Sequence, residues 1–159
     1  MASLERRLSR AFFLIACMLA SLASPRAFAA PDSPEAEIRA ALTQWTSDFN
    51  AGRADKVCDL FAPSLRADVR GAAERDFDTQ CKLLRKALDD PERAYSDAFE
   101  LKEILAEGDM AVVRLTWTST VRVKATGQVS TSVDQGLDVF GKGSDGVWRI
   151  IRYMAYERP

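Results

Sequence analysis

Hydrophobic positions along this chain follow two periods, and the change between them falls near Pro91. Before it, Ile38, Leu42, Trp45 and Phe49 recur every three or four residues, the stripe of an amphipathic helix over Ser33–Asn50. Ser33 reads as its N-cap, with Pro34 at the first helical position and Glu35 and Glu37 in the first turn. Gly52 stands where a helix stops in a left-handed residue. The pattern predicts a short second helix over Ala54–Phe61, with Val57, Cys58 and Phe61 inward and Pro63 past its end. Leu65–Glu74 fits either a helical turn or a loop. A further helix is predicted over Asp76–Leu88, on the stripe Phe77, Cys81, Leu84 and Leu88.

After Pro91 the period becomes two. Phe99–Ala106 reads as a strand, and Glu107-Gly108-Asp109 as a tight turn. The next strand puts Ala111, Val113, Leu115, Trp117, Ser119, Val121 and Val123 on one face, with Arg114, Thr116, Thr118 and Thr120 on the other. Ala125-Thr126-Gly127 turns the chain. Val129, Thr131, Val133, Gln135, Leu137 and Val139 then read as the inner face of a third strand, and Val147–Tyr156 as the last. Long central strands twist and bend, and Gly136 is the expected place. Helices followed by a meander of about four long strands predict an α+β fold, with N-terminal helices packed on a curved antiparallel sheet.

The first thirty residues stand apart from this pattern. Arg6, Arg7 and Arg10 precede the apolar run Ala11–Ala23, and Ala27-Phe28-Ala29 follows it. Basic start, short apolar middle and small-x-small site describe a signal peptide cleaved near Ala29. A run of thirteen residues falls short of the roughly 20 that span a bilayer, so no stable membrane anchor is expected. Leu14-Ile15-Ala16-Cys17 offers a rival reading as a lipoprotein box, but the apolar run continues past Cys17 to a good downstream site. The expected product is one periplasmic or secreted domain, residues 30–159. Cys58 and Cys81 remain in it, and an even pair in an exported domain points to a disulfide; two buried free thiols are the alternative. Removing Arg6, Arg7, Arg10, Arg26 and Glu5 from 22 basic and 23 acidic residues leaves a net charge of −4. With no basic stripe, nucleic acid is not an expected partner.

Much chemistry is excluded. The chain has no histidine, so neither a Ser-His-Asp nor a Cys-His nucleophile nor a His-ligated metal site can be built. No motif implies a metal or a cofactor. Gly141-Lys142-Gly143-Ser144-Asp145-Gly146 matches the letters G-x-G-x-x-G. A nucleotide loop needs a helix after it, and here a strand follows, so the segment reads as a hairpin.

Two stretches carry a resemblance. The first is Asp48-Phe49-Asn50-Ala51-Gly52-Arg53-Ala54-Asp55 with Lys56–Phe61-Ala62-Pro63 after it. The second is Gln135-Gly136-Leu137-Asp138-Val139-Phe140, a glycine turn, then Gly146-Val147-Trp148-Arg149-Ile150-Ile151. Together they resemble the nuclear transport factor two-like superfamily, in its SnoaL-like and ketosteroid-isomerase-like branch. The resemblance implies a cone: a curved sheet wrapped on a long helix, around an apolar pocket, in proteins that are often homodimers. It also implies where a catalytic set would stand. The isomerase tyrosine falls on Trp45, which is not a phenol, and the base falls near Asp68; no second acid has a counterpart, Leu115 to Thr118 occupying its strand. Fold likeness does not itself give a reaction.

The candidate ligand-binding residues are Trp45, Phe49, Trp117, Gln135 and Arg152, and the candidate catalytic residue is Asp68. Gln135 and Arg152 interrupt apolar strand faces, where a polar group must line a pocket or face a partner subunit unless it reaches water. Trp45 and Phe49 read first as plain core and second as pocket lining. Three functions follow, in decreasing order of support from the residues: a binding module for a small hydrophobic ligand, an interaction protein that dimerises or docks through its sheet, and an enzyme using Asp68.

Overall fold

The computed structural model describes residues 33–157; the leader, its cleavage site and Cys17 lie outside the described residues. Helix α1 (Pro34–Asn50) starts at its cap, where Ser33 Oγ accepts from the Ala36 N–H at 3.2 Å. It ends at Gly52, whose φ of +72° would strain any side chain. There the N–H groups of Gly52 and Arg53 close back on the carbonyls of Phe49 and Asp48.

The predicted second helix does not form. Residues 54–60 make a series of turns, with Lys56 bonded to Arg53, Asp59 to Lys56 and Phe61 to Cys58. The carbonyls a helix would need are taken elsewhere. Trp45 Nε1 donates to the Val57 carbonyl at 2.8 Å, and the Ile150 N–H takes the Leu60 carbonyl at 2.8 Å. Phe61 instead opens strand β1 (Phe61–Val69), and β2 (Arg75–Asp76) follows; both lie where the sequence showed no clear period. Helix α2 (Phe77–Leu88) is capped by the Asp76 carboxylate, which accepts from the Thr79 N–H at 2.9 Å.

Four long strands complete the chain: β3 (Arg93–Glu107), β4 (Met110–Val123), β5 (Val129–Lys142) and β6 (Trp148–Glu157). The α+β class is as expected, but the sheet has six strands in the order β2-β1-β6-β5-β4-β3, and β1 runs parallel to β6. The G-x-G-x-x-G segment is the β5–β6 hairpin. Register is unbroken through Gly136; the irregularities fall at Leu101/Glu103 on β3, Val139/Phe140 between β5 and β6, and Phe61/Arg66 on β1, around Pro63.

Both helices pack on one face of the sheet, α1 against β3 and β6, α2 against β1, β2 and β3. Ile38, Leu42, Trp45 and Phe49 of α1 meet Ala111, Val113 and Leu115 of β4, Phe140 of β5 and Trp148 and Ile150 of β6 in one core. The inner face of β4 is the predicted one. That of β5 is the opposite of the predicted one: Asp134, Gly136, Asp138 and Phe140 stand across from Trp117, Leu115, Val113 and Ala111, while Leu137 is exposed. A bulge at Ile151 changes the facing of β6, so that Trp148 and Ile150 before it and Ala155 after it are buried, and Arg152 and Met154 are exposed.

The first turn of α1 is tied to the far end of the sheet by one carboxylate. Glu37 Oε2 accepts from Trp148 Nε1 at 2.6 Å and pairs with Lys142 Nζ at 2.7 Å, and Lys142 lies 5.5 Å from the Trp148 ring. At the other end, Cys58 and Cys81 form a disulfide joining the turns after α1 to α2, with both residues in the core. The loop closed spans 23 residues of separation, for which the chain-entropy model gives about 3 kcal/mol. A Cys58→Ala/Cys81→Ala variant is expected to lose about that much in urea unfolding. Two thiols alkylated in the native protein without reductant would contradict the bridge.

Candidate functional site

Between the helices and the sheet lies a cavity of about 160 Å³, the size class that takes a benzene-sized molecule. Its apolar wall combines Leu60, Leu84 and Ile150 with aromatic rings. Trp45 comes from α1, Phe61 from β1 and Trp117 from β4, with Tyr153 of β6 beside them. Trp117 stands edge-on to Trp45 at 5.3 Å, and Phe49 stacks on the far side of Trp45 at 5.3 Å without lining the space. Because the indole N–H of Trp45 is committed to Val57, that ring offers a face and no donor.

The polar wall comes from strand positions that share the inward-facing side of the sheet. Asp97 on β3 stands opposite Ser119 on β4, and Asp134 and Asp138 project from the same face of β5. Asp138 is 1% exposed, and neither of its carboxyl oxygens has a hydrogen-bond partner. Burial therefore pushes its pKa up to about 8. Asp97 is also raised: burial dominates, the Ser119 hydroxyl opposes it, and the Asp134 charge adds to it. Tyr153, cross-strand from Asp138, is raised to about 12, first by burial and then by the Asp138 carboxylate, with Arg75 opposing. Gln80 from α2 completes the polar side, its Oε1 accepting from Arg75 at 3.4 Å.

Asp97 is held by its own backbone. Asn50, the last residue of α1, donates Nδ2–H to the Asp97 carbonyl at 2.9 Å, and its Oδ1 accepts from the Asp97 N–H at 2.8 Å. The amide thus pairs with the edge strand as another strand would, and fixes the backbone from which the Asp97 carboxyl enters the cavity.

The sequence-predicted residues divide by face. Trp45 and Trp117 line the cavity and Phe49 backs it. Gln135, Arg152 and Asp68 are all on the outer face of the sheet. Leu65 and Ala67 are buried, which turns Asp68 outward on β1 to an exposed position beside Met154. Gln135 donates to Thr116 Oγ1 at 3.4 Å, and Arg152 to the Ser64 carbonyl at 3.1 Å. Those positions suit a residue facing solvent or a second subunit, not one lining the cavity. The residues missed are Asp97, Asp134, Asp138 and Tyr153. Reading β5 by its apolar side chains hid two of them; the signal available was that Phe140, buried in the core, shares their parity.

The SnoaL-like domain model matches residues 42–153. Among solved structures, a ketosteroid isomerase-like protein from Erwinia carotovora atroseptica superposes with a TM-score of 0.64 at 24% identity, covering 78% of this chain and 95% of that one. A nuclear transport factor 2-like superfamily protein from Salmonella enterica gives 0.63 at 16%, covering 77% and 89%. A candidate scytalone dehydratase from Novosphingobium aromaticivorans gives 0.68 at 16%, covering 77% and 83%. At these identities the likeness shows the fold, the cone expected from the two sequence stretches. No curated protein matches the chain at a significant level.

A carboxyl whose folded pKa exceeds its unfolded value stabilises the fold most at low pH. For Asp138 that contribution declines as pH rises from about 4 and is lost above about 8. The chain has no histidine, the side chain that ordinarily titrates between pH 5 and 8. The Asp138→Asn variant is expected to show a urea midpoint less dependent on pH than wild type across that interval, and to be the more stable protein at pH 7.5. Equal slopes for the two proteins would contradict the assignment.

Proposed function

The chain belongs to the SnoaL-like domain family, and from its cavity we propose that it is an exported protein that binds one small, largely apolar organic molecule with a polar head. The observation that carries this reading is Asp138, a buried carboxyl without a hydrogen-bond partner at the wall of an aromatic cavity. An unsatisfied buried polar group destabilises the fold by roughly 1–3 kcal/mol, more if charged, and a ligand head that meets it removes that penalty. The aromatic rings supply the apolar body of the site, as in most small-molecule pockets. Export is supported by the N-terminal leader and the Cys58–Cys81 bridge. No described helix is long and apolar enough to cross a membrane.

A second reading, acid–base chemistry on the bound molecule, is favoured by Asp97 and Asp138 sharing one cavity in different surroundings. Asp97, bonded to Ser119, is the group placed to accept a proton; Asp138, neutral at pH 7, is the one placed to donate. The names of two structural neighbours, an isomerase-like protein and a candidate dehydratase, belong to reactions of this kind.

Binding reads out directly, because Trp45 and Trp117 line the cavity. Benzene-sized polar molecules, screened by tryptophan fluorescence, are expected to include some that give a saturable change. Ser119→Phe, which fills the space, should abolish it, whereas Asp68→Asn and Arg152→Ala should leave it intact. Loss of binding in Asp68→Asn with normal folding would contradict this placement of the site. The intact mass of protein recovered from the periplasm should match residues 30–159 with one disulfide.

A further inference from the structure

The charged groups in the cavity wall have one sign. Asp97, Asp134 and Asp138 line it, and no lysine or arginine does. We propose that the head of the bound molecule is a positively charged nitrogen: the cavity takes a small organic ammonium ion, about the size of cyclohexylamine. This rests on the reading that the cavity binds a small molecule, and names that molecule's chemical class.

Three observations carry it. The first is Asp138. Both of its oxygens are buried and unpaired, so the site presents acceptors that no protein donor fills. An ammonium head brings up to three N–H donors to such acceptors; a ketone or ether brings none, and would engage Asp138 only through its single O–H. The second is charge. An anionic head would meet carboxyl groups and no lysine or arginine in the wall, a costly arrangement in a low dielectric. The third is the ring wall. Trp45, Phe61, Trp117 and Tyr153 line the space, and aromatic rings attract organic cations, most strongly where water is excluded. A metal ion is the other cation to weigh, but among the described residues no group of three carboxylates is close enough together to hold one.

Binding would change the protonation of the site. Asp138 is neutral in the empty cavity at pH 7 and ionises against the ammonium, releasing one proton to solvent. The titratable and charged groups around it are Asp134 on its own strand, Tyr153 on β6 and Asp97 on β3; Arg75 on β2 acts on Tyr153 from outside the wall. Tyr153 remains neutral throughout, since burial raises it to about 12.

The test uses three probes of one shape: cyclohexylamine, cyclohexanone and cyclohexanecarboxylate. They are titrated calorimetrically into the disulfide-bonded, leaderless protein between pH 6 and 7.5, in buffers of different ionisation heat. The amine, protonated throughout this range, is expected to bind at least tenfold more tightly than the ketone at pH 7.5. Its affinity should rise about tenfold per pH unit, with one proton released per molecule bound. In Asp138→Asn the proton release and the pH slope should vanish; if that variant does not fold, the proton count of the wild type decides. Binding of the ketone as tightly as the amine overturns the inference and leaves the small-molecule reading standing. Binding of the amine without proton release overturns it too, because Asp138 is then not its counter-ion. Failure of all three probes overturns the inference and the binding reading together.

Discussion

Strand β5 is held in register by its C-terminal end, and the site depends on that register. Phe140 is fully buried opposite Ala111, and Lys142, two residues on, reaches Glu37 in the first turn of α1. Side chains alternate strictly along a strand, so a slip of one residue would expose Phe140 and break the Glu37–Lys142–Trp148 contacts at once. Once these are in place, parity sends Asp138, Gly136 and Asp134 to the same face. The two carboxyl groups enter the interior because a phenylalanine and a lysine six and eight positions from Asp134 must face the helices.

That arrangement sets stability against binding. Asp138 occupies a place where an apolar side chain would pack without penalty, and its burial shifts its titration to about pH 8. Around it the fold is well secured: Ser33 and Asp76 cap the two helices, Trp45 binds the Val57 carbonyl, and the disulfide ties α2 to the turns beneath it. Asn50 extends this support to the site by pairing with the backbone of Asp97. A buried polar group that a fold leaves unsatisfied is a candidate for meeting a ligand, and Asp138 stands at the wall of a cavity of about 160 Å³ that aromatic rings help to line.

Much of the architecture was legible in the residues. The stripe Ile38, Leu42, Trp45 and Phe49, the caps of α1 and α2, and the alternation of β4 each carry a local pattern strong enough to define an element. Residues 54–60 were not legible, because their carbonyls answer to Trp45 and Ile150, distant in sequence. Strand β1 escaped because only Leu65 and Ala67 alternate there, and Pro63 reads as a breaker. The face of β5 departs from the usual pattern. Its valines and Leu137 sit outside, and its aspartates inside, so the rule that apolar residues face inward fails at the strand that builds the site. The error carried forward: Gln135 was selected and Asp134 and Asp138 were passed over. Trp45 and Trp117 were found because they obey the rule.

Asp138 stands protonated and unpartnered at the cavity wall at neutral pH. Its side-chain carboxyl carbon, observed by NMR in protein labelled with ¹³C at aspartate and assigned with Asp138→Asn, reports this directly. A titration midpoint near pH 8 is expected for that resonance. A midpoint near pH 4, that of an ordinary solvated aspartate, would contradict it.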